Sequence, residues 1–152
     1  MAKETSAADY DTDFFEWTRH QAAALVAGKA SELDWANLAE EIESLGKRDR
    51  RGLRNRLEMP VMHLLKWCYQ PERRQTGHSW SSTIWEQRGR IEQIVADSPS
   101  LGRLVPDMIA QDYQRVLQRT SDETDLSLET FPKSCPWTVE QVLDVTFWPE
   151  QA

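Results

Sequence analysis

The sequence is poor in the residues that usually announce a chemistry. It has two cysteines in 152 residues. Cys68 and Cys135 stand far apart and outside any C-x-x-C spacing, which excludes a disulfide framework and a zinc knuckle and fits a reducing compartment. Histidine is equally scarce: His20, His63 and His78 share no ligand spacing. A bundle would have to gather them with Glu40, Glu41 or Glu43, and the Glu-x-x-His pairs of bundle metal sites are absent. No metal and no cofactor are therefore expected. The sequence also lacks a glycine-rich phosphate loop, G-x-S-x-G and H-E-x-x-H. No apolar run approaches the roughly 18 residues that span a bilayer. The N-terminal MAKETSAADYDTD is polar and acidic, without the apolar stretch of a secretion signal. A soluble, cytoplasmic protein without a membrane partner is the expectation.

Period-two alternation, internal repeats and low-complexity segments are missing as well, which leaves helix. The reading is all-α: a compact helical bundle of about five main helices with short additional helical segments. One domain over residues 10–148 is expected, after a flexible N-terminus (1–9) and before a short tail (149–152).

What the chain does have is segregated charge. The net charge is −7. Residues 47–74 carry nine Lys/Arg against three Asp/Glu, or +6, whereas residues 1–46 and 75–152 come to −7 and −6. The basic run Lys47, Arg48, Arg50, Arg51, Arg54 and Arg56 is either a polyanion-binding patch or a solvated helical face balanced by its acidic neighbours. The seven tryptophans are the other excess, and core packing at helical apolar positions accounts for most of them.

Local signals place the helices. Asp11 reads as an N-cap, with Tyr10 and Phe15 in hydrophobic-staple positions, and Gly28 supplies a stop. Asp34 caps the next helix, whose stripe is Trp35, Leu38, Ile42 and Leu45. The stripe resumes at Leu53, Leu57, Val61, Leu64 and Cys68. The step from Leu45 to Leu53 turns it by about 80°, which predicts a break or change of axis between Gly46 and Gly52. Pro60 predicts a kink or restart, and the apolar run after it marks the most buried helix. Ile42, Leu57, Leu64, Leu65 and Trp67 are expected in one buried cluster. Gln70-Pro71 ends the segment. Thr83 and Glu86 have capping-box spacing for a further helix, Pro106 sits in a first turn, and Thr138 with Gln141 forms a second capping box.

Four loose constellations remain. Arg56 and His63 fall within the Arg-x(4–6)-His spacing of all-helical ribonucleases of the HEPN type, where the imidazole would handle a proton and the arginine would stabilise phosphate; Leu57 stands where such sites carry a polar residue. The competing reading is a core histidine bonded to a backbone carbonyl or to a carboxylate such as Glu41. The second constellation is the histidine set above. The third is Glu40, Glu41 and Glu43, of which Glu43 pairs with Lys47 as a surface i,i+4 ion pair. The fourth is the basic and aromatic mixture from Lys66 to Arg90, with Arg73, Arg74, Trp80 and Arg88 as binding candidates. It resembles a nucleic-acid stacking platform and equally a helix-hairpin rim. The acidic overall balance disfavours nucleic acid.

YDTDFFEWT, ELDWANLAEEIESLGKRDRR and HLLKWCYQPERR, followed by SW, IWEQR, SPSL and LETFPKSCPWTVEQVLD, run in one colinear order. They resemble an uncharacterised bacterial family, domain of unknown function 29 (DUF29), over roughly Tyr10 to Phe147. The resemblance implies a small, mostly helical bacterial cytoplasmic protein. It brings no established activity, so no functional residue is carried over. Pro60 is unusual for that family's apolar run. The function expected is a small helical interaction or regulatory domain, with a protein partner or a second copy of itself and no catalysis of its own. The alternative is a HEPN-like RNA-binding or RNA-cleaving protein of toxin–antitoxin type using Arg56 and His63.

Overall fold

The computed structural model describes residues 9–75 and 78–150, with the side chain of His78 left out. Residues 1–8 of the expected flexible N-terminus and residues 151–152 of the expected tail thus lie outside the described residues. Six helices are present among these residues and no strand, so the protein is all-α. They are α1 (Phe14–Val26), α2 (Trp35–Tyr69), α3 (His78–Asp97), α4 (Pro99–Gly102), α5 (Val105–Thr124) and α6 (Val139–Leu143). Short 3-10 turns lie at Ala30–Glu32, Pro71–Arg73 and Leu128–Thr130. Packing divides the chain into two units, one ending at Arg48 and one beginning at Asp49.

In the first unit, α1 is capped by Asp13, whose carboxylate accepts the Glu16 backbone N–H at 3.0 Å; the cap lies two residues beyond the Asp11 expected. Phe15 is exposed, and Tyr10 packs edge-on against Phe14 and Trp17 instead. Gly28, at φ +68°, takes the left-handed turn after the helix, where glycine has no Cβ to clash. Asp34 caps α2 as expected: it accepts from the Asn37 backbone N–H (3.3 Å) and from the Trp17 indole N–H (3.3 Å). Gln21, buried, donates to the Glu32 carbonyl (3.3 Å) and accepts from the Asp34 N–H (2.7 Å). These bonds fasten the turn between α1 and α2.

α2 runs unbroken from Trp35 to Tyr69, so the expected interruption between Gly46 and Gly52 does not occur. A helical glycine costs only about 1 kcal/mol relative to alanine, and its neighbours here are good helix formers. The premise of a shared core face also fails: Ile42 and Leu45 are exposed, whereas burial begins at Leu53. Pro60 neither stops nor restarts the helix. An interior proline costs about 3 kcal/mol, and each large apolar side chain fully buried beside it returns about 1.5–3 kcal/mol. Leu57, Val61, Met62, Leu64 and Leu65 are all buried, so packing wins.

The core of the second unit is Leu53, Leu57, Val61, Met62 and Leu65 of α2 with Val105, Met108, Ile109, Tyr113, Val116 and Leu117 of α5, joined by Ile91, Phe131 and Val142. Of the five residues expected to cluster, Leu57 and Leu65 are in this core and Leu64 is fully buried. Ile42 is exposed, and Trp67 is half-buried against Trp148. α3 begins at His78, ahead of the Thr83–Glu86 pair, which lies inside the helix. The Thr138–Gln141 capping box is formed in both directions, at 3.1 and 3.0 Å. Thr120 and Thr124 return their hydroxyls to carbonyls four residues back, each at 2.7 Å. Asp125 then ends α5 in the left-handed region, φ 59°.

Candidate functional site

His63 sits one turn after Met59 on α2, and its Nδ1 lies 2.8 Å from the Met59 carbonyl oxygen. A carbonyl only accepts, so Nδ1–H donates and the lone pair resides on Nε2. The residue is 8% exposed. Burial pushes the imidazole below its ordinary value of 6.5, with Lys66 and Arg119 acting in the same direction; the hydrogen bond to the Met59 carbonyl and the Glu123 charge oppose them. Arg56 is engaged elsewhere, donating to Gln87 Oε1 at 3.2 Å. The groups around His63 are therefore Lys66, Arg119 and Glu123. Glu123 accepts from Lys66 Nζ at 2.5 Å and from Arg119 Nε at 3.1 Å.

Part of the mixed basic and aromatic set is used to hold the chain together. Arg74 donates from Nε to the Trp67 carbonyl at 2.7 Å and lies over the Trp67 ring, 4.9 Å from its centroid. Trp67 meets Trp148 at 4.6 Å, and Arg88 lies 5.9 Å from the Trp148 centroid on α3's side. Cation, two indoles and cation follow in series, the arrangement that ring quadrupoles favour. Arg88 is 1% exposed. It donates to the carbonyls of Val142 (2.8 Å), Phe147 (3.0 Å) and Gln141 (3.1 Å). Burial holds its guanidinium below the ordinary arginine value, with Asp144 opposing. Arg73 is exposed in the Pro71–Arg73 turn, and Trp80 is half-buried in the first turn of α3. The structure does not bring Arg73, Arg74, Trp80 and Arg88 into one stacking platform.

Two further arginines of the second unit are paired. Arg54 grips both carboxylate oxygens of Asp112, and Arg115 bonds Glu58. Arg50 and Arg51 of the basic run remain exposed. In the first unit, Glu41 accepts a 2.5 Å hydrogen bond from the Tyr10 hydroxyl. Glu43 and Lys47 form the expected surface pair at 3.6 Å. Among the described residues, no three His, Cys, Asp or Glu side chains are placed to hold a metal, and no helix is long and apolar enough to cross a membrane.

The apolar surface is unevenly spread. Phe14, Phe15, Leu25 and Val26 of α1 and Trp35, Ile42 and Leu45 of α2 are exposed, Trp35 at 63% and Ile42 at 67%, and all seven belong to the first unit. Trp85, Leu128 and Val145 of the second unit are exposed too, but they stand far apart in its sequence.

The family model described as "Domain of unknown function DUF29" matches residues 10–148. The chain belongs to the DUF29 family. No curated protein and no solved structure matches it. The DUF29 chain's thiols are poor nucleophiles: burial raises both Cys68 and Cys135 above the ordinary thiol value, and the thiolate is the reactive form. The sequence places Arg88 only among the binding candidates and gives Trp148 no contact of its own. A run of aromatic and small residues near the chain end, VTFWP, was the one signal that something must receive it.

Proposed function

We propose that this DUF29 protein is a small bacterial cytoplasmic interaction domain, which acts by docking another protein and carries no catalysis of its own. The observation that supports the reading is the concentration of exposed large apolar side chains in residues 14–45. Monomeric surfaces carry single apolar residues routinely, but grouped ones mark contact sites. Trp35, Ile42 and Leu45 recur at helical spacing on α2, the pattern by which an amphipathic helix presents anchors to a partner. The charged groups of the second unit support the same reading, since Arg54, Lys66, Arg74 and Arg88 are engaged in bonds within the chain. His63, the candidate general base of the ribonuclease-type alternative, is buried and bonded through Nδ1 to Met59.

The test is a pull-down from the native host with nuclease-treated and untreated lysates. Protein retained equally in both supports docking. Material lost on nuclease treatment, or RNA cleavage that His63→Ala abolishes, would replace it with the RNA reading.

A further inference from the structure

One strip of α2 lies exposed in the first unit. Ala39, Ile42, Leu45 and Gly46 are spaced three and four apart, which puts them on one side of the helix. All four are exposed, Ile42 at 67% and Leu45 at 49%. No neighbouring element comes within 4 Å of the point where a Gly46 Cβ would stand, so the bare backbone there admits a second helix at close range.

The charges beside the strip change sign along the helix. Glu40 and Glu43 lie three apart on one flank, and Lys47 follows on the same flank four residues on. All three are exposed, and the Glu43–Lys47 pair at 3.6 Å is a solvated contact that contributes little and exchanges readily. A flank that is acidic at its start and basic at its end complements itself when reversed. An isologous contact requires that property, since the same patch serves both copies. A twofold axis between Glu43 and Ser44 sets Ile42 against Leu45 of the second copy, and Glu40 against Lys47 of that copy. Parallel pairing lacks the match: it turns this flank toward the opposite one, where Glu41 is a further acid and is held by Tyr10.

We propose that this strip of α2 is the contact of an antiparallel homodimer, with Ile42 and Leu45 of the two copies interleaved and Glu40 and Glu43 facing Lys47 of the other copy. The inference rests on the docking reading and names a second copy of the chain as the partner, so the protein retained in the pull-down is the host's own copy.

Sedimentation equilibrium of the purified full chain tests it. A dimer that dissociates in the micromolar range is expected, because a contact this short is small and small contacts are weak. Ile42→Glu should sediment as a monomer throughout and melt like the parent at dilution. Lys47→Glu makes the flank wholly acidic, and the double variant Glu40→Lys/Glu43→Lys makes it wholly basic. Each should self-associate about fivefold more weakly than the parent. Mixed together they should pair as tightly as the parent, which follows from the antiparallel register. A parent that stays monomeric up to millimolar concentration, a dimer unchanged in Ile42→Glu, or a mixture no tighter than its separate components would overturn the second copy as partner. A monomeric parent that still retains a different host protein through Ile42 would overturn this inference and keep the docking reading.

Discussion

Trp67 and Trp148 meet with ring centroids 4.6 Å apart and planes tilted by 47°, although 80 positions separate them in the chain. Arg74 lies over the first ring and Arg88 close to the second. The contact holds the C-terminal segment against α2, and Pro149 beyond it is buried.

This attachment should carry measurable stability. Trp148→Ala is expected to cost about 2–3 kcal/mol, less than the roughly 3–5 kcal/mol of a fully buried aromatic because the ring is half-buried. Arg88→Met should cost more than Arg88→Lys, since lysine keeps a charge but cannot reach three carbonyls from one planar group. Chemical denaturation of the three variants checks the order.

Core and surface halves of α2 should respond differently to truncation. Leu64→Ala is expected to lose about 2–5 kcal/mol, and Ile42→Ala to stay within about 0.5 kcal/mol of the parent. A comparable loss at both positions would mean that Ile42 is covered in the folded protein.

His63 makes stability depend on pH with a defined sign. Its folded pKa is depressed by burial, so the unfolded chain binds the proton more readily. The stabilisation is complete above the ordinary value of 6.5 and is lost as pH falls below it toward the folded value. His63→Asn keeps a donor for the Met59 carbonyl and cannot titrate. Melting curves from pH 7.5 to 5 should therefore fall less steeply for His63→Asn than for the parent.

Tyr10 should titrate late. Its hydroxyl donates to Glu41, and the bond with the neighbouring carboxylate charge raises the phenol to about 12. Burial raises Tyr69 and Tyr113 as well, so absorbance titration should show one of three late steps move toward the ordinary 10 in Glu41→Gln, and one step fewer in Tyr10→Phe.

Much of this fold was legible because local chemistry and tertiary packing agree. Asp34, the Thr138–Gln141 box and Gly28 act where their side chains say they should, and the α5 stripe from Met108 to Leu117 is buried as its spacing implies. A break between Gly46 and Gly52 follows from the stripe only if both halves face one core, and periodicity reports which residues are apolar and not whether anything covers them. Ile42 and Leu45 have the spacing of core residues and lie at the surface. Arg56 and His63 share a helical spacing, but Gln87 and Met59 take their polar atoms. Arg88 was the hardest to foresee. A fully buried arginine needs several acceptors, and here they are backbone carbonyls from residues 141, 142 and 147, which no side-chain pattern encodes.

The docking reading meets its most direct test in Ile42→Glu, compared with the parent in nuclease-treated pull-downs from the native host. The position is exposed and glutamate is a good helix former, so the melting temperature should be unchanged. The expected result is a specific protein retained by the parent and lost by Ile42→Glu. The same protein retained by both, at equal stability, would contradict a role for the exposed α2 surface in docking.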